Sequence, residues 1–360
     1  MNPRDLLPSS LCHFLACVVH RKVNPVLGPV KLCARSQNAA GFSNLGNART
    51  VMLVITIPDA SPLKWKVRFL GLNPNLSPDF TFDMEFQKYI AAKDAHKLKE
   101  VLPSWCNWEK ENPQALKLCL GEFLHLYSDY QREKLQGNPK FHALFEVIER
   151  LNIKEYFVRK LECEVQIGIM LPVPRLTELV EISQDASHFA EQESVVWIKC
   201  NTVGDELEVH SVMPSPLVLA ALGESTVEFS RPRTVSEYFR TFVPQMQKKV
   251  EILVASRLKA FEVLSELGST FPDHVTRVTR DISQGSLSIS LMFQSCKSSL
   301  TFDIVIPNEF PLRKPTVVER IKDTEHWERK VEYEYNSDFS GEEIGREICY
   351  SIARMLEELD

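Results

Sequence analysis

Cys106 stands between Trp105 and Asn107 in the run SWCNWEKENP, and a thiol beside an amide is the first place to look for covalent chemistry. A thiolate can attack a carbonyl carbon, and a nearby amide N–H can hold the oxyanion that forms. No His-Pro-Asn sequence precedes Cys106, and the indoles of Trp105 and Trp108 are expected to bury its thiol. The expectation is therefore a packed cysteine. Hydrolytic metal chemistry would need a His-x-His pair with distant carboxylates around zinc, and none of the nine histidines lies two positions from another. Cys12, His13, Cys17, His20 and Cys33 cluster near the N-terminus without any paired C-x2-C spacing, so they read as residues of a helix face. With thirteen glycines and no glycine-rich loop, the chain carries no phosphate cradle. No catalytic residue, metal or cofactor is assigned.

The elements that must position these residues follow from composition and periodicity. A chain of 360 residues with 44% apolar and 25% charged residues has the makeup of a globular protein of two or three domains. No apolar run reaches the roughly 18 residues of a membrane span, and Asp5 and His13 argue against reading LCHFLACVV as a signal peptide. The net charge is −6 with basic residues scattered, which disfavours nucleic acid as a partner. Nine cysteines, an odd number mostly in apolar stretches, suggest reduced thiols and a cytoplasmic setting.

LKWKVRF places Leu63, Trp65, Val67 and Phe69 on one side of a strand and Lys64, Lys66 and Arg68 on the other. An offset of 237 then aligns Leu63 with Leu300, Trp65 with Phe302, Val67 with Ile304, Phe69 with Ile306, Pro74 with Pro311 and Pro78 with Pro315. Proline cannot donate to a sheet ladder and fixes its own φ, so each P-x3-P marks a rigid crossing out of the sheet. VMLVITI and SLSISLMF precede the two copies as hairpin partners.

Helices bracket both copies. Residues 6 to 20 open the first. Asn112 and Pro113 begin its closing helix, and Gly137-Asn138-Pro139 ends it. A helix from Pro244 to Leu267 is expected to open the second, with Phe242 and Val243 as a hydrophobic staple, and Ser340-Gly-Glu-Glu343 caps the one that closes it. Between them, FHALFEVIERL, CEVQIGIML, VVWIK and LEVHSV suggest a degenerate third copy. The expected divisions are 1–137, 138–233 and 234–360.

This order of helix, antiparallel meander, proline crossing and helix resembles the α+β layout of ubiquitin-conjugating enzymes, their inactive UEV variants and RWD domains. Over the whole chain, through LKWKVRF, NPNLSPDFTF, SWCNWEKENP and FVPQ, the sequence is similar to the BRE (brain and reproductive organ-expressed) family. That resemblance implies tandem UEV/RWD-like domains and a non-catalytic scaffold in a BRISC-type deubiquitinase complex or its nuclear BRCA-A sister, which works in DNA repair. It also implies the partners: a JAMM-type deubiquitinase with an MPN-like pseudoenzyme companion, a von Willebrand A-like subunit, and polyubiquitin. Trp105, Trp108, Phe242 and Pro244 are the candidate partner-binding residues, while Pro74, Pro78, Pro311 and Pro315 are structural. The rival readings are a conjugating enzyme using Cys106 and a UEV subunit of membrane trafficking.

Overall fold

The computed structural model describes residues 9–33, 49–57, 61–69, 75–161, 164–182, 193–203, 206–223, 233–281, 286–294, 299–307, 309–321 and 328–357. The chain forms two compact units, Met1–Pro172 with Glu193–Gln247, and Val173–Gln192 with Lys248–Asp360.

The first unit begins with α1 (Ser9–Ala16) and the strands β1 (Val30–Cys33), β2 (Arg49–Ile55), β3 (Leu63–Phe69) and β4 (Asp79–Thr81). These form an antiparallel meander in chain order. The alternation read from LKWKVRF is realised along β3: Leu63, Trp65, Val67 and Phe69 are buried, and the three cations between them are exposed. The buried side is covered by α5 (Ala115–Gln136), whose Phe123 and Tyr127 meet Phe80 and Trp65. The sequence led us to expect Asn112 and Pro113 at the start of α5, but the helix begins at Ala115 with Gln114 at its cap position and no side-chain cap. Asn112 instead accepts the Gln114 N–H at 2.9 Å in the turn before it, while Gly137 caps the other end as expected.

Between β4 and α5 lie α2 (Met84–Ala91), α3 (Ala95–Val101) and α4 (Pro103–Cys106). Asp83 and Asp94 start the first two by accepting N–H groups of Phe86 and Lys97.

After α6 (His142–Arg150), a second antiparallel sheet follows: β5 (Tyr156–Lys160), β6 (Glu164–Met170), then, past α7 (Leu176–Ile182), β7 (Val195–Val203), β8 (Glu206–Pro214), and, past α8 (Pro216–Leu222), the short β9 (Arg233–Thr234). Tyr127 of α5 stacks on Phe157 at 6.0 Å, and Phe157 meets Trp197 at 6.2 Å. These rings join both sheets in one apolar core. Contacts therefore group the first two sheets in one unit. Gly168 makes part of this possible. A Cβ there would stand 2.5 Å from Val26 and 2.7 Å from the Trp197 ring, so its absence lets the segment after α1 lie against the sheet.

The long helix α9 (Val235–Thr270) corrects one expectation, since it starts nine residues before Pro244. Thr234 and Glu237 form the overlooked start, with the Glu237 N–H donating to Thr234 Oγ1 at 3.3 Å. A proline inside a helix costs about 3 kcal/mol. Burial of Tyr238, Phe239, Phe242, Val243 and Met246 on both sides of it offsets that cost.

In the second unit, β10 (Val275–Asp281), β11 (Ser286–Gln294), β12 (Ser299–Ile306), β13 (Thr316–Ile321) and β14 (Glu328–Lys330) form another antiparallel meander in chain order. The closing helix α10 (Gly341–Glu357) opens with the expected capping box: Glu343 N–H donates to Ser340 Oγ at 3.1 Å, and the Glu343 carboxylate accepts Ser340 N–H at 2.7 Å. The offset of 237 survives as strand register, because Val67 faces Phe80 across β3 and β4 while Ile304 faces Val317 across β12 and β13.

Candidate functional site

The segment from Pro78 to α5 carries the residues that sequence reasoning singled out. Pro78 leads into β4, and its carbonyl accepts the Trp105 indole N–H at 3.0 Å. The Trp105 ring meets Phe123 edge-on at 5.7 Å, and Trp108 lies 4.9 Å from Phe14. Both indoles are half-buried lids over the core of the first unit. α4 is held from α5, where the Glu122 carboxylate accepts the Ser104 N–H at 3.0 Å. Pro74 lies outside the described residues.

Cys106 is not packed as expected. It is exposed at the last position of α4, because the two indoles turn inward and leave the thiol on the other side. Its Sγ lies 3.9 Å from the Leu98 carbonyl. A helix C-terminus offers carbonyl oxygens rather than N–H donors, so the polar groups gathered there are the wrong kind to hold an oxyanion. The buried cysteines contrast with it. Burial, reinforced by Glu122, pushes the Cys119 thiol up to about 12, and burial also raises Cys200 and Cys349. Among the described residues, no group of three His, Cys, Asp or Glu is placed to hold a metal ion, and no helix is long and apolar enough to cross a membrane.

Phe242 and Pro244 do not form an exposed anchor. Phe242 is 4% exposed, stacks on Tyr238 at 5.6 Å and lies under the Arg233 guanidinium at 4.8 Å. Pro244 sits within α9 beside it. The structure thus separates these two residues from the tryptophans: 105 and 108 rim the first sheet, and 242 and 244 belong to the helix that follows the second.

The crossing of the second unit is held by three side-chain hydroxyls. Tyr333 Oη donates to the Pro315 carbonyl at 2.7 Å, Tyr335 Oη to the Pro311 carbonyl, and Ser256 Oγ to the Phe310 carbonyl. Lys314 caps the Tyr333 ring at 4.7 Å and pairs with Glu332 at 3.1 Å. Burial raises both tyrosines above the ordinary phenol range, so they remain protonated donors. Sequence reasoning missed them, although the alternation of Val331, Tyr333 and Tyr335 was a usable signal.

The family model described as Brain and reproductive organ-expressed protein (BRE) matches residues 13–321. The curated relatives include "BRISC and BRCA1-A complex member 2" of Branchiostoma floridae, 22% identical over 278 residues that cover 72% of this chain and 69% of the relative. The protein of the same name from Danio rerio is 24% identical over 276 residues, covering 71% and 67%. With a match spanning α1 through β13, this chain belongs to the BRE family.

Proposed function

We propose that the chain is a non-catalytic scaffold of a BRISC-type deubiquitinase complex, built of tandem UEV/RWD-like modules at 1–137, 138–233 and 234–360. The observation that carries this reading is the family match over residues 13–321, with relatives named as members of the BRISC and BRCA1-A complexes. In this role it bridges a JAMM metalloprotease and its MPN-like companion to a von Willebrand A-like subunit and helps recruit polyubiquitinated substrates, in cytoplasm and nucleus. The repeated meander supports the reading, because modest interfaces on linked modules gain effective concentration from the tether. Trp105 and Trp108 keep part of their surface accessible for docking, whereas Phe242 acts by shaping α9.

Native mass spectrometry of the tagged chain recovered from cells tests this. Co-recovery of the metalloprotease, its companion and the von Willebrand A-like subunit is expected; recovery of endosomal sorting subunits alone overturns it. The exposure of Cys106 favours one second reading, a ubiquitin-conjugating enzyme. Incubation with ubiquitin, activating enzyme and ATP decides it: a reductant-sensitive adduct that is lost in Cys106→Ala supports conjugation, and no adduct on the natural sequence removes it.

A further inference from the structure

The outer side of the first sheet is basic, on a chain whose net charge is −6. Register places Lys31, Val54 and Lys64 in one cross-strand row, and Cys33, Met52, Lys66 and Thr81 in the next. Arg68 follows on β3, and the Asp79 carboxylate accepts its guanidinium at 2.7 Å. Lys31, Lys64, Lys66 and Arg68 are exposed, while Met52 and Val54 are half-buried. Among the described residues of β1 to β4, Asp79 is the carboxylate on this side and is taken by Arg68, and no acidic side chain pairs with Lys31, Lys64 or Lys66.

The pattern is a ridge of two apolar side chains on β2, with ammonium groups on both flanks. Neighbouring strands lie about 4.8 Å apart, which sets Lys31 roughly 10 Å from Lys64 across the ridge. That is about one screening length at 0.1 M salt, so the three lysines act on the same ligand. It is also about the diameter of an α-helix with its side chains.

We propose that this side of the sheet docks an acidic amphipathic helix of a protein partner. The helix's apolar stripe would lie along Met52 and Val54, and its carboxylates would meet Lys31 on one flank and Lys64 and Lys66 on the other. The apolar ridge is what favours a helix over a phosphate polymer, since a sugar–phosphate backbone has no apolar stripe to set on it. No aromatic ring stands among the described residues of this side on which a base could stack.

The test uses the full chain and a fluorescein-labelled synthetic peptide with leucines along one helical stripe and glutamates on both flanks, read by fluorescence anisotropy. Binding is expected to weaken with added salt and to fall on the order of tenfold in a Lys31→Glu, Lys64→Glu, Lys66→Glu variant whose thermal midpoint is unchanged. A peptide of the same composition with the leucine spacing scrambled is expected to bind several-fold less. If the triple variant fails to fold, Lys64→Glu and Lys66→Glu are measured singly, each expected to weaken binding, and unchanged affinity in both overturns the proposal. So does a failure of the helical peptide to bind. Equal or tighter binding of a single-stranded oligonucleotide or of phosphatidylserine vesicles, lost in the same variants, would make this a general polyanion surface and equally overturn it.

Discussion

Replacing Gly168 with alanine sets two effects of opposite sign against each other. A glycine in a strand carries excess freedom in the unfolded chain, so alanine alone should stabilise by about 0.4–1 kcal/mol. The packing around Gly168 argues the other way. The new Cβ would stand 2.5 Å from Val26 Cγ1 and 2.7 and 2.8 Å from two atoms of the Trp197 ring. Forcing a methyl group into such a site costs about 1–3 kcal/mol. The Trp197 indole N–H also donates to the Val26 carbonyl at 3.2 Å, a bond that the displacement would stretch, at about 0.5–1.5 kcal/mol. The losses outweigh the gain, for a net destabilisation of about 1–3 kcal/mol. In a unit of this size each kcal/mol lowers the melting temperature by about 2–4 °C, so scanning calorimetry should show a drop of roughly 2–12 °C. Adding Val26→Ala to Gly168→Ala removes the nearest clashing atom, and the pair should be less destabilised than the sum of the single variants. A melting temperature that rises in Gly168→Ala, or strictly additive effects in the pair, would refute the reasoning.

Tyr333→Phe removes the donor that satisfies the Pro315 carbonyl, and should cost about 1–2 kcal/mol in urea unfolding without altering secondary structure. Glu319 is 1% exposed with Oε2 lacking a hydrogen-bond partner, and burial raises its pKa against the opposing pull of Arg329. A raised folded pKa means that its contribution is greatest below the ordinary carboxylate range near 4.5 and is lost as pH climbs through the raised value. Glu319→Gln should therefore flatten the fall in stability above pH 4.5, as read from urea midpoints across pH; an unchanged slope would show that the group does not titrate as described. Thiol labelling of the native chain should modify Cys33 and Cys106 quickly and Cys119, Cys200 and Cys349 only on unfolding; fast labelling of Cys119 would contradict its burial.

Much of the local structure was legible along the chain. The alternation in LKWKVRF, the Ser340 and Glu343 capping box and the Gly137 end of α5 are each set by neighbours a few residues apart. The repeat at an offset of 237 was legible for the same reason, since apolar residues at matching strand positions meet matching demands and the shared register follows.

What the sequence alone could not decide depended on partners distant along the chain. The inward turn of Trp105 and Trp108, which exposes Cys106, is set by Phe123, Phe14 and the Pro78 carbonyl. The extension of α9 through Pro244 is set by burial of the side chains around it, a gain larger than the local penalty of the proline. The joining of two sheets in one unit is set by Tyr127, Phe157 and Trp197, and by the space left at Gly168. Propensity and periodicity act over a turn or a strand and so are written in the chain. Burial and close approach arise only once the chain has folded, and they decided which thiol faces water and where one unit ends.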